Sequence, residues 1–358
     1  MKNEFLRATA CALSVCALLT GCDPEPAEKD KQGEGSQNEK TVYVLNEGGY
    51  QANNSDITAY HPDSKSRTDD LYLTANGQRL GDTAQDILVD GDDLYVCVYG
   101  SSYVARLDRS GKEIVRHAFT AADGQPRYMT KVDGDLFVTL YSGQLVRLDA
   151  ATLEPKGYTT VGANPEDVIL YGGNLYVANS GWGNDSTVTV VRPADGSVTA
   201  TLSVAVNPQQ FVQQAGQLFL FAYGPYDENW NCPYPVQHID IDGTATTVAY
   251  AARGTAMGWD KLLMVNTVTD WSTYATTNQF FTYDVVTGTL SQQSPLQDAP
   301  TELLTQNIYM LEGDPTTGDV YVGITDFVSL GTVYRFSATG RLLDTFTAGV
   351  NPSHIAVE

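Results

Sequence analysis

The chain has 358 residues, of which 42% are hydrophobic and 18% are charged, and its formal net charge is −22. This length and composition suit a globular protein with a large core, and the negative charge argues against nucleic acid as a partner. Five cysteines in a chain of this size do not make a disulfide framework.

The N-terminus has the features of a secretory signal. Basic residues precede an apolar run over residues 8–19. The run is about 12 residues long, too short for a membrane-spanning helix of about 20. It closes on Leu-Thr-Gly-Cys at residues 19–22, which resembles the lipobox of bacterial lipoproteins. The resemblance implies that residues 1–21 are a signal peptide and that Cys22 is lipidated and anchors the protein to a membrane. An ordinary secretory signal with a chance cysteine is the alternative.

Residues 22–40 are predicted to form a flexible acidic tether that begins with the lipidated cysteine. They contain no aliphatic residue larger than alanine, so they cannot bury much apolar surface. Acidic residues crowd the start of the tether, which is similar to the export signal that sends Bacteroidetes lipoproteins to the cell surface. These residues are Asp23, Glu25, Glu28 and Asp30. We therefore expect a lipoprotein exposed on the surface of the outer membrane, with the periplasmic face as the alternative.

Loss of the signal peptide makes the chain more acidic. Residues 1–21 hold two basic residues and one acidic residue, so the 21 basic and 43 acidic side chains become 19 and 42, a formal charge of −23. An anionic lipid surface is disfavoured for the same reason, so the lipid on Cys22 must supply the membrane attachment. The folded domain keeps only Cys97 and Cys232.

An apolar and aromatic strand next to a short hairpin recurs seven times along the rest of the chain. Successive copies start 52, 42, 39, 43, 44 and 58 residues apart, near the period of about 40 to 45 residues expected for four-stranded blades. The two long intervals predict insertions, and no helical periodicity competes with this pattern. The copies start at Val42, Leu94, Leu136, Leu175, Leu218, Leu262 and Val320. The sequence therefore predicts an all-β, seven-bladed β-propeller over residues 41–358.

The C-terminal residues are expected to close the ring. An Asn-Pro pair opens an inner strand at residues 164, 207 and 351, but no second strand follows the last of these. The first copy begins at Thr41 without an inner strand of its own. The end of the chain is therefore predicted to complete the first blade, which removes the open sheet edges.

Candidate binding residues lie in loops on one face of the predicted ring. In a meandering blade, the loops between the second and third strands share a face with the connections between blades. Three of the four tryptophans lie in these loops. Aromatic side chains among amides and carboxylates suit a large, partly apolar ligand with polar edges. The predicted ligand-binding residues are Asn46, Tyr50, Tyr99, Arg127, Tyr128, Tyr141, Asn179, Trp182, Tyr223, Tyr226, Trp230, Trp271, Tyr274 and Phe327. The alternative is that these aromatics pack between blades or cover the mouth of the channel.

The blade connections place further residues, most of them polar, near the centre of the same face. As residues that open inner strands, they are also suited to satisfying backbone groups. They are Glu166, Asp167, Gln209, Gln210, Phe211, Asn307 and His354.

No catalytic or metal-binding motif appears in the sequence. The four histidines occur singly, without the spacing of a zinc site, and no nucleophile elbow or phosphate loop is present. Asp240 and Asp242 form a carboxylate pair, but Gly243 beside them indicates a turn. We therefore expect a protein without catalytic activity or cofactor. A site assembled across blades, as in propeller lyases and glycoside-cleaving propellers, is the alternative.

Two segments carry a resemblance to a known family: Val-Leu-Asn-Glu-Gly at residues 44–48 and Tyr-Val-Ala-Asn-Ser-Gly at residues 176–181. With the lipobox and the acidic tether, the chain resembles Bacteroidetes propeller lipoproteins of the surface-layer or YncE-like type over its whole mature domain. That family includes the BtuG-type cobalamin-binding proteins, which lie over a TonB-dependent transporter and pass the corrinoid to it.

The resemblance implies that the chain captures a bulky nutrient, with cobalamin or another corrinoid first among the candidates, and delivers it to a TonB-dependent transporter. The matching segments consist mostly of strand and turn residues, so they indicate the family better than the ligand. The alternatives are a propeller that acts on or binds an extracellular carbohydrate, and an adhesion or scaffold propeller.

Overall fold

The computed structural model describes residues 39–225, 227–228, 232–270, 272–273 and 275–358. Seven antiparallel sheets of four strands each follow one another along the chain. Each of the seven predicted copies forms the second strand of one sheet, because its apolar and aromatic residues are buried from both sides. The predicted seven-bladed β-propeller is confirmed.

Blade one contains β1 (Val42–Asn46), β2 (Asp56–His61) and β3 (Ser66–Thr68), and α1 (Leu71–Asn76) follows it. Blade two contains β4 (Ala84–Asp90), β5 (Asp93–Val98), β6 (Tyr103–Asp108) and β7 (Glu113–Ala118). Blade three contains β8 (Pro126–Val132), β9 (Asp135–Leu140), β10 (Gln144–Asp149) and β11 (Pro155–Thr160). Blade four contains β12 (Pro165–Tyr171), β13 (Asn174–Asn179), β14 (Thr187–Val191) and β15 (Val198–Ser203).

The second half of the ring has the same plan. Blade five contains β16 (Pro208–Gln214), β17 (Gln217–Ala222), β18 (Pro235–Ile239) and β19 (Ala245–Tyr250). Blade six contains β20 (Arg253–Met257), β21 (Lys261–Asp270), β22 (Ala275–Asp284) and β23 (Thr289–Ser291), and α2 (Glu302–Thr305) follows it. Blade seven contains β24 (Asn307–Gly313), β25 (Val320–Thr325), β26 (Thr332–Phe336) and β27 (Leu342–Thr347). The last strand, β28 (Pro352–Val357), belongs to blade one.

The C-terminal strand closes the ring as the sequence predicts. Strand β28 pairs antiparallel with β1, so that Val42 lies opposite Val357 and Val44 lies opposite Ile355. The backbone N–H of Gly48 extends this contact, because it donates a hydrogen bond of 3.0 Å to the carbonyl of Val350. The first blade is therefore built from both ends of the domain.

The two long intervals of the repeat contain the two helices. Helix α1 lies between blades one and two, and α2 lies between blades six and seven. The sequence predicts insertions there but not helices, because segments of six and four residues are too short to show a helical period. Among the residues that the structure describes, no helix has the length and apolar character needed to cross a membrane.

The core lies between neighbouring blades. One buried cluster joins Tyr43 and Leu45 of blade one to Leu94 and Val96 of blade two. Similar clusters join the other blades, so both faces of each sheet are covered by apolar side chains. The polar residues that open each inner strand therefore lie outside these apolar clusters, around the centre of the ring.

A bulge near the start of most inner strands positions those polar residues. The pairing shifts after Pro126 in β8, after Pro165 in β12 and after Pro208 in β16, and further shifts occur in β4 and β24. A bulge places two residues opposite one on the partner strand and re-aims side chains. Consecutive residues such as Arg127 and Tyr128 therefore both face the centre of the ring.

Candidate functional site

A cavity of about 700 Å³ lies at the centre of the propeller, where the inner strands begin. Every blade contributes to its wall, through an inner-strand opening, the loop after a second strand, or both. Six of the residues predicted to bind ligand line it: Tyr99, Arg127, Tyr128, Tyr141, Trp182 and Tyr223. From the blade connections, the wall also includes Asp167, Gln209, Gln210, Phe211 and His354.

Arg127 is the centre of a buried polar cluster on this wall. Its Nη2 lies 2.6 Å from Oε2 of Glu166, and its Nε donates to the same oxygen at 2.9 Å. Nη1 donates to the side-chain oxygen of Gln85. Glu166 is almost fully buried, so this ion pair joins blades three and four in a poorly solvated place.

Three tyrosine rings surround the Arg127 guanidinium. Its carbon lies 5.5 Å from the ring centroid of Tyr99, 5.3 Å from that of Tyr128 and 4.8 Å from that of Tyr141. The hydroxyl of Tyr141 donates to Oε1 of Glu166 at 2.7 Å. Cation–π contacts and a hydrogen bond therefore fix the orientation of these rings before any ligand arrives.

The aromatic surface continues outward to Trp182. The rings of Tyr99 and Tyr141 meet edge to face at 5.4 Å, and those of Tyr141 and Trp182 meet edge to face at 6.3 Å. Trp182 is 70% exposed, whereas Tyr141 is half-buried. The three rings form a continuous apolar wall from the cavity to its rim.

Two carboxylates on the wall connect neighbouring blades. Asp86 accepts hydrogen bonds from the backbone N–H of Met129 at 2.8 Å and of Ile87 at 2.9 Å. Asp167 accepts one from the N–H of Phe211 at 2.7 Å. Burial raises the pKa of Asp86 to about 7 and that of Asp167 to about 6, since removal from water disfavours the charged form.

His354 and Glu47 are the remaining ionisable groups with strong contacts. Burial opposes a charge on His354, but the ion pair with Glu312, 3.2 Å from Nδ1 to Oε1, outweighs it and raises the pKa of the imidazole. Burial also raises the pKa of Glu47, although the hydroxyl of Tyr309 donates a hydrogen bond to its carboxylate. The cavity therefore has a mixed electrostatic character, with each of its acids held by a protein donor.

The family of the chain follows from comparison with sequence families. Residues 40–342 match the family described as "Domain of unknown function (DUF5074)". The chain belongs to this DUF5074 family. A comparison with curated protein sequences finds no match.

Solved structures similar to this DUF5074 chain share its fold at low sequence identity. Hydrazine synthase of Kuenenia stuttgartiensis is 15% identical with a TM-score of 0.60, covering 75% of this chain and 88% of that one. A functionally unknown protein from Desulfotomaculum acetoxidans is 11% identical with a TM-score of 0.59, covering 88% and 98%. Virginiamycin B lyase from Staphylococcus aureus, solved with quinupristin, is 10% identical with a TM-score of 0.51, covering 74% and 84%. At these identities the similarity shows the fold alone.

Two of the predicted binding residues, Asn46 and Asn179, make hydrogen bonds inside the propeller and do not line the cavity. Asn46 is buried and donates to Oγ1 of Thr58 at 3.0 Å. Asn179 is buried and donates to Oγ1 of Thr189 at 2.9 Å, while its own side-chain oxygen accepts from the N–H of Gly162 at 3.0 Å. Each asparagine is the last residue of a second strand, so its side chain points into the blade and ties the strand ends together.

The other predicted residues lie outside the cavity wall or outside the described residues. Tyr50 is 77% exposed, and Phe327 is 51% exposed with its ring 5.9 Å from that of Tyr309. Neither lines the cavity. Outside the described residues lie Cys22, Tyr226, Trp230, Trp271 and Tyr274.

The sequence reasoning missed several residues of the wall, including Asp86, Arg253, Tyr309 and Glu312. Asp86 and Asp167 are each the third residue of an inner strand. This equivalence between blades is the sequence feature that could identify Asp86 as a residue of the wall. Arg253 opens an inner strand that has no proline and pairs without a bulge, so no motif marked it. Within the described residues, no three His, Cys, Asp or Glu side chains are grouped to hold a metal ion.

Proposed function

We propose that this chain is a cell-surface lipoprotein that captures a bulky nutrient, with cobalamin or another corrinoid as the leading candidate. It delivers the nutrient to a TonB-dependent outer-membrane transporter and carries out no covalent chemistry. The observation that carries the proposal is the central cavity of about 700 Å³, which is walled by all seven blades and continues into an aromatic rim.

The size and lining of the cavity suit a large ligand that is partly inserted. Small-molecule sites commonly have volumes of about 300 to 1,000 Å³ and combine apolar surface with a few polar groups. A complete corrinoid exceeds this cavity, so part of it would remain at the rim beside Trp182, which is exposed. Gln209 and Gln210 on the wall offer amides to the peripheral amides that a corrinoid carries.

The Arg127 cluster supports binding rather than opposing it. Because Arg127 already pairs with Glu166 and holds Tyr99 and Tyr141 in place, these rings lose little freedom when a ligand covers them. Rigid aromatic side chains give contact area at low entropic cost, which favours affinity.

The attachment part of the proposal rests on the sequence, since Cys22 and the tether lie outside the described residues. Changing Cys22→Ser should give a folded protein that is released from the membrane, because the sequence predicts a tether that buries little apolar surface. Fractionation of cells with an antibody against the propeller measures this. Undiminished recovery of the variant in the membrane fraction would contradict the lipobox interpretation.

Titration of the purified propeller with cobalamin tests the binding part. We expect one-to-one binding with measurable heat by calorimetry and quenching of tryptophan fluorescence, because Trp182 lies at the rim. Absence of both signals at micromolar cobalamin rejects the corrinoid proposal. A parallel titration with neutral oligosaccharides separates corrinoid capture from carbohydrate binding.

A second candidate, a propeller enzyme acting on an exported carbohydrate, is favoured by the titratable groups of the cavity. Asp86, with a pKa of about 7, and the His354–Glu312 pair are suited to proton transfer near neutral pH. Asp86 is committed to two backbone N–H groups, which argues for a structural role. Product formation from an oligosaccharide that is lost in His354→Ala would favour the enzyme; binding without turnover would favour capture.

A further inference from the structure

We infer that Arg253 forms an anion-binding subsite of the central cavity, which takes a carboxylate or phosphate group of the bound molecule. The inference rests on the proposed function only in so far as the cavity binds a ligand. It concerns the chemical class of that ligand, which must carry an oxyanion.

Among the described residues, Arg253 donates a hydrogen bond through only one of its three guanidinium nitrogens. It is half-buried at the start of β20 and lines the cavity. Its Nε donates to the carbonyl of Ile308 at 3.1 Å, and its guanidinium carbon lies 5.8 Å from the ring centroid of Tyr309. Among the described residues, no group accepts a hydrogen bond from its Nη1 or Nη2. Within the part of the chain that the structure describes, the two terminal nitrogens are therefore available to a ligand.

The absence of a counter-ion sets Arg253 apart from the other arginines of the described chain. Every other arginine there that is not exposed pairs with an aspartate or glutamate. These are Arg67, Arg106, Arg109, Arg127, Arg147 and Arg335. A guanidinium withdrawn from water without a carboxylate partner loses hydration that an anion would restore.

The acids of the cavity do not supply this partner. Asp86 and Asp167 accept from the backbone, Glu47 accepts from Tyr309, and Glu312 pairs with His354. The planar fork of a guanidinium matches the two oxygens of a carboxylate or phosphate, so an incoming oxyanion gains two charge-assisted hydrogen bonds. The strong negative charge of the whole chain acts weakly at this point, since salt screens charges beyond about 8 Å.

The test uses small aromatic anions as probes of the subsite. Phenyl phosphate and benzoate are titrated into the wild-type propeller at constant ionic strength, with phenol as the neutral control, and binding is followed by calorimetry and by thermal unfolding. We expect both anions to bind and phenol not to bind. Arg253→Gln should weaken the anions about 10- to 100-fold, the range for a hydrogen bond to a charged group, and Arg253→Lys should retain part of the affinity.

The matched control is Arg192→Gln, which makes the same change of charge at an exposed arginine paired with Asp195. This variant should bind the anions as the wild type does. The relative strength of phenyl phosphate and benzoate identifies phosphate or carboxylate as the preferred group. Equal anion affinity of the wild type and Arg253→Gln overturns the inference, and so does a wild type that binds neither anion.

Cobalamin, which carries a phosphodiester, and cobinamide, which lacks it, separate this inference from the proposed function. If the wild type binds cobalamin and Arg253→Gln binds it equally well, corrinoid capture stands and the subsite is wrong. If cobalamin does not bind but phenyl phosphate binds through Arg253, the subsite stands and the corrinoid proposal is wrong. A loss of affinity in Arg253→Gln for cobalamin but not for cobinamide supports both.

Discussion

At the scale of single residues, Trp182 combines an exposed aromatic ring with a left-handed backbone conformation. It is 70% exposed, and its backbone has a φ of 54°, in the left-handed region that favours glycine. A left-handed conformation costs a non-glycine residue about 1 to 2 kcal/mol. An exposed aromatic ring held on a strained backbone contributes little to folding, and this supports the proposed role of Trp182 in binding.

Trp182→Gly should therefore weaken ligand binding without lowering the melting temperature. Loss of a rim anchor costs about 2 kcal/mol, roughly a thirtyfold rise in dissociation constant. Glycine at the same time relieves the backbone strain. Calorimetry with cobalamin and thermal unfolding measure the two effects. Tyr158→Ala, at a half-exposed tyrosine of the outer strand β11, is the control and should alter neither. Unchanged affinity in Trp182→Gly would move the site away from this rim.

The Arg127–Glu166 pair gives a second prediction at the residue scale. Arg127→Met should lower the free energy of unfolding by about 3 to 5 kcal/mol, because it leaves Glu166 buried without its counter-ion. Glu166→Gln should also destabilise the protein. The double variant should lose clearly less than the sum of the two, since neither charge is then left unpaired. Urea unfolding measures all three, and strictly additive losses would show that the pair is not coupled.

At the scale of elements, Asp86 and Asp167 link the inner strand of one blade to that of the next. Their pKa values of about 7 and about 6 in the folded protein exceed the value of about 3.9 for an unfolded aspartate. Between these values the folded state binds more protons than the unfolded state, so the free energy of unfolding falls as pH rises from about 4 to 7. His354 acts in the same direction, because its raised pKa makes it a stabilising cation that is lost on the alkaline side.

The change from pH 5 to pH 8 should therefore destabilise the wild type by at least about 1 kcal/mol more than the double variant Asp86→Asn/Asp167→Asn. Chemical denaturation at the two pH values measures the difference. The comparison uses the slope with pH, so a constant loss from the weaker backbone contacts of asparagine does not affect it. Equal slopes in the two proteins would show that neither carboxyl titrates in this range.

The elements also show what the sequence could and could not predict. The second strands could be predicted because both faces of each blade are buried, which makes these strands continuously apolar. The Asn-Pro openings could be predicted because asparagine tolerates a left-handed φ, which is 43° at Asn164 and 61° at Asn207. The bulges were not readable, since they arise from pairing. The sequence does not show the bulges, so it places Arg127, Tyr128 and Trp182 around one cavity only through the positions of their loops.

The same limit applies to the positions of Asn46, Asn179 and Arg253. Asn46 and Asn179 stand at the boundary of strand and loop, so the sequence alone does not show that strand alternation turns their side chains into the blade. Arg253 carries no sequence signal, because the lack of an acidic partner for it among the described residues depends on which acids the other blades have already engaged. That information belongs to the assembled ring rather than to any one repeat.

At the scale of the whole molecule, the ring depends on nine residues at the C-terminus. Strand β28 supplies the inner strand of blade one, and the N–H groups of Glu47 and Gly48 donate to the carbonyls of Asn351 and Val350 at 2.9 and 3.0 Å. The side chain of Asn351 is buried and donates to the carbonyl of Gly48 at 2.8 Å. His354 on this strand also lines the cavity, so the strand that closes the ring also completes the cavity wall.

Deletion of residues 350–358 should therefore lower the melting temperature by at least about 5 °C and abolish ligand binding, because it leaves the inner edge of β1 unpaired and removes part of the cavity wall. Thermal unfolding and the cobalamin titration measure the two losses. A deletion of nine tether residues, 30–38, is the matched control and should change neither. Addition of a synthetic peptide with the sequence of residues 350–358 should restore part of the stability, since the gap in blade one can accept a strand. A truncated protein that melts within a degree or two of the intact one would mean that this strand does not hold the ring closed.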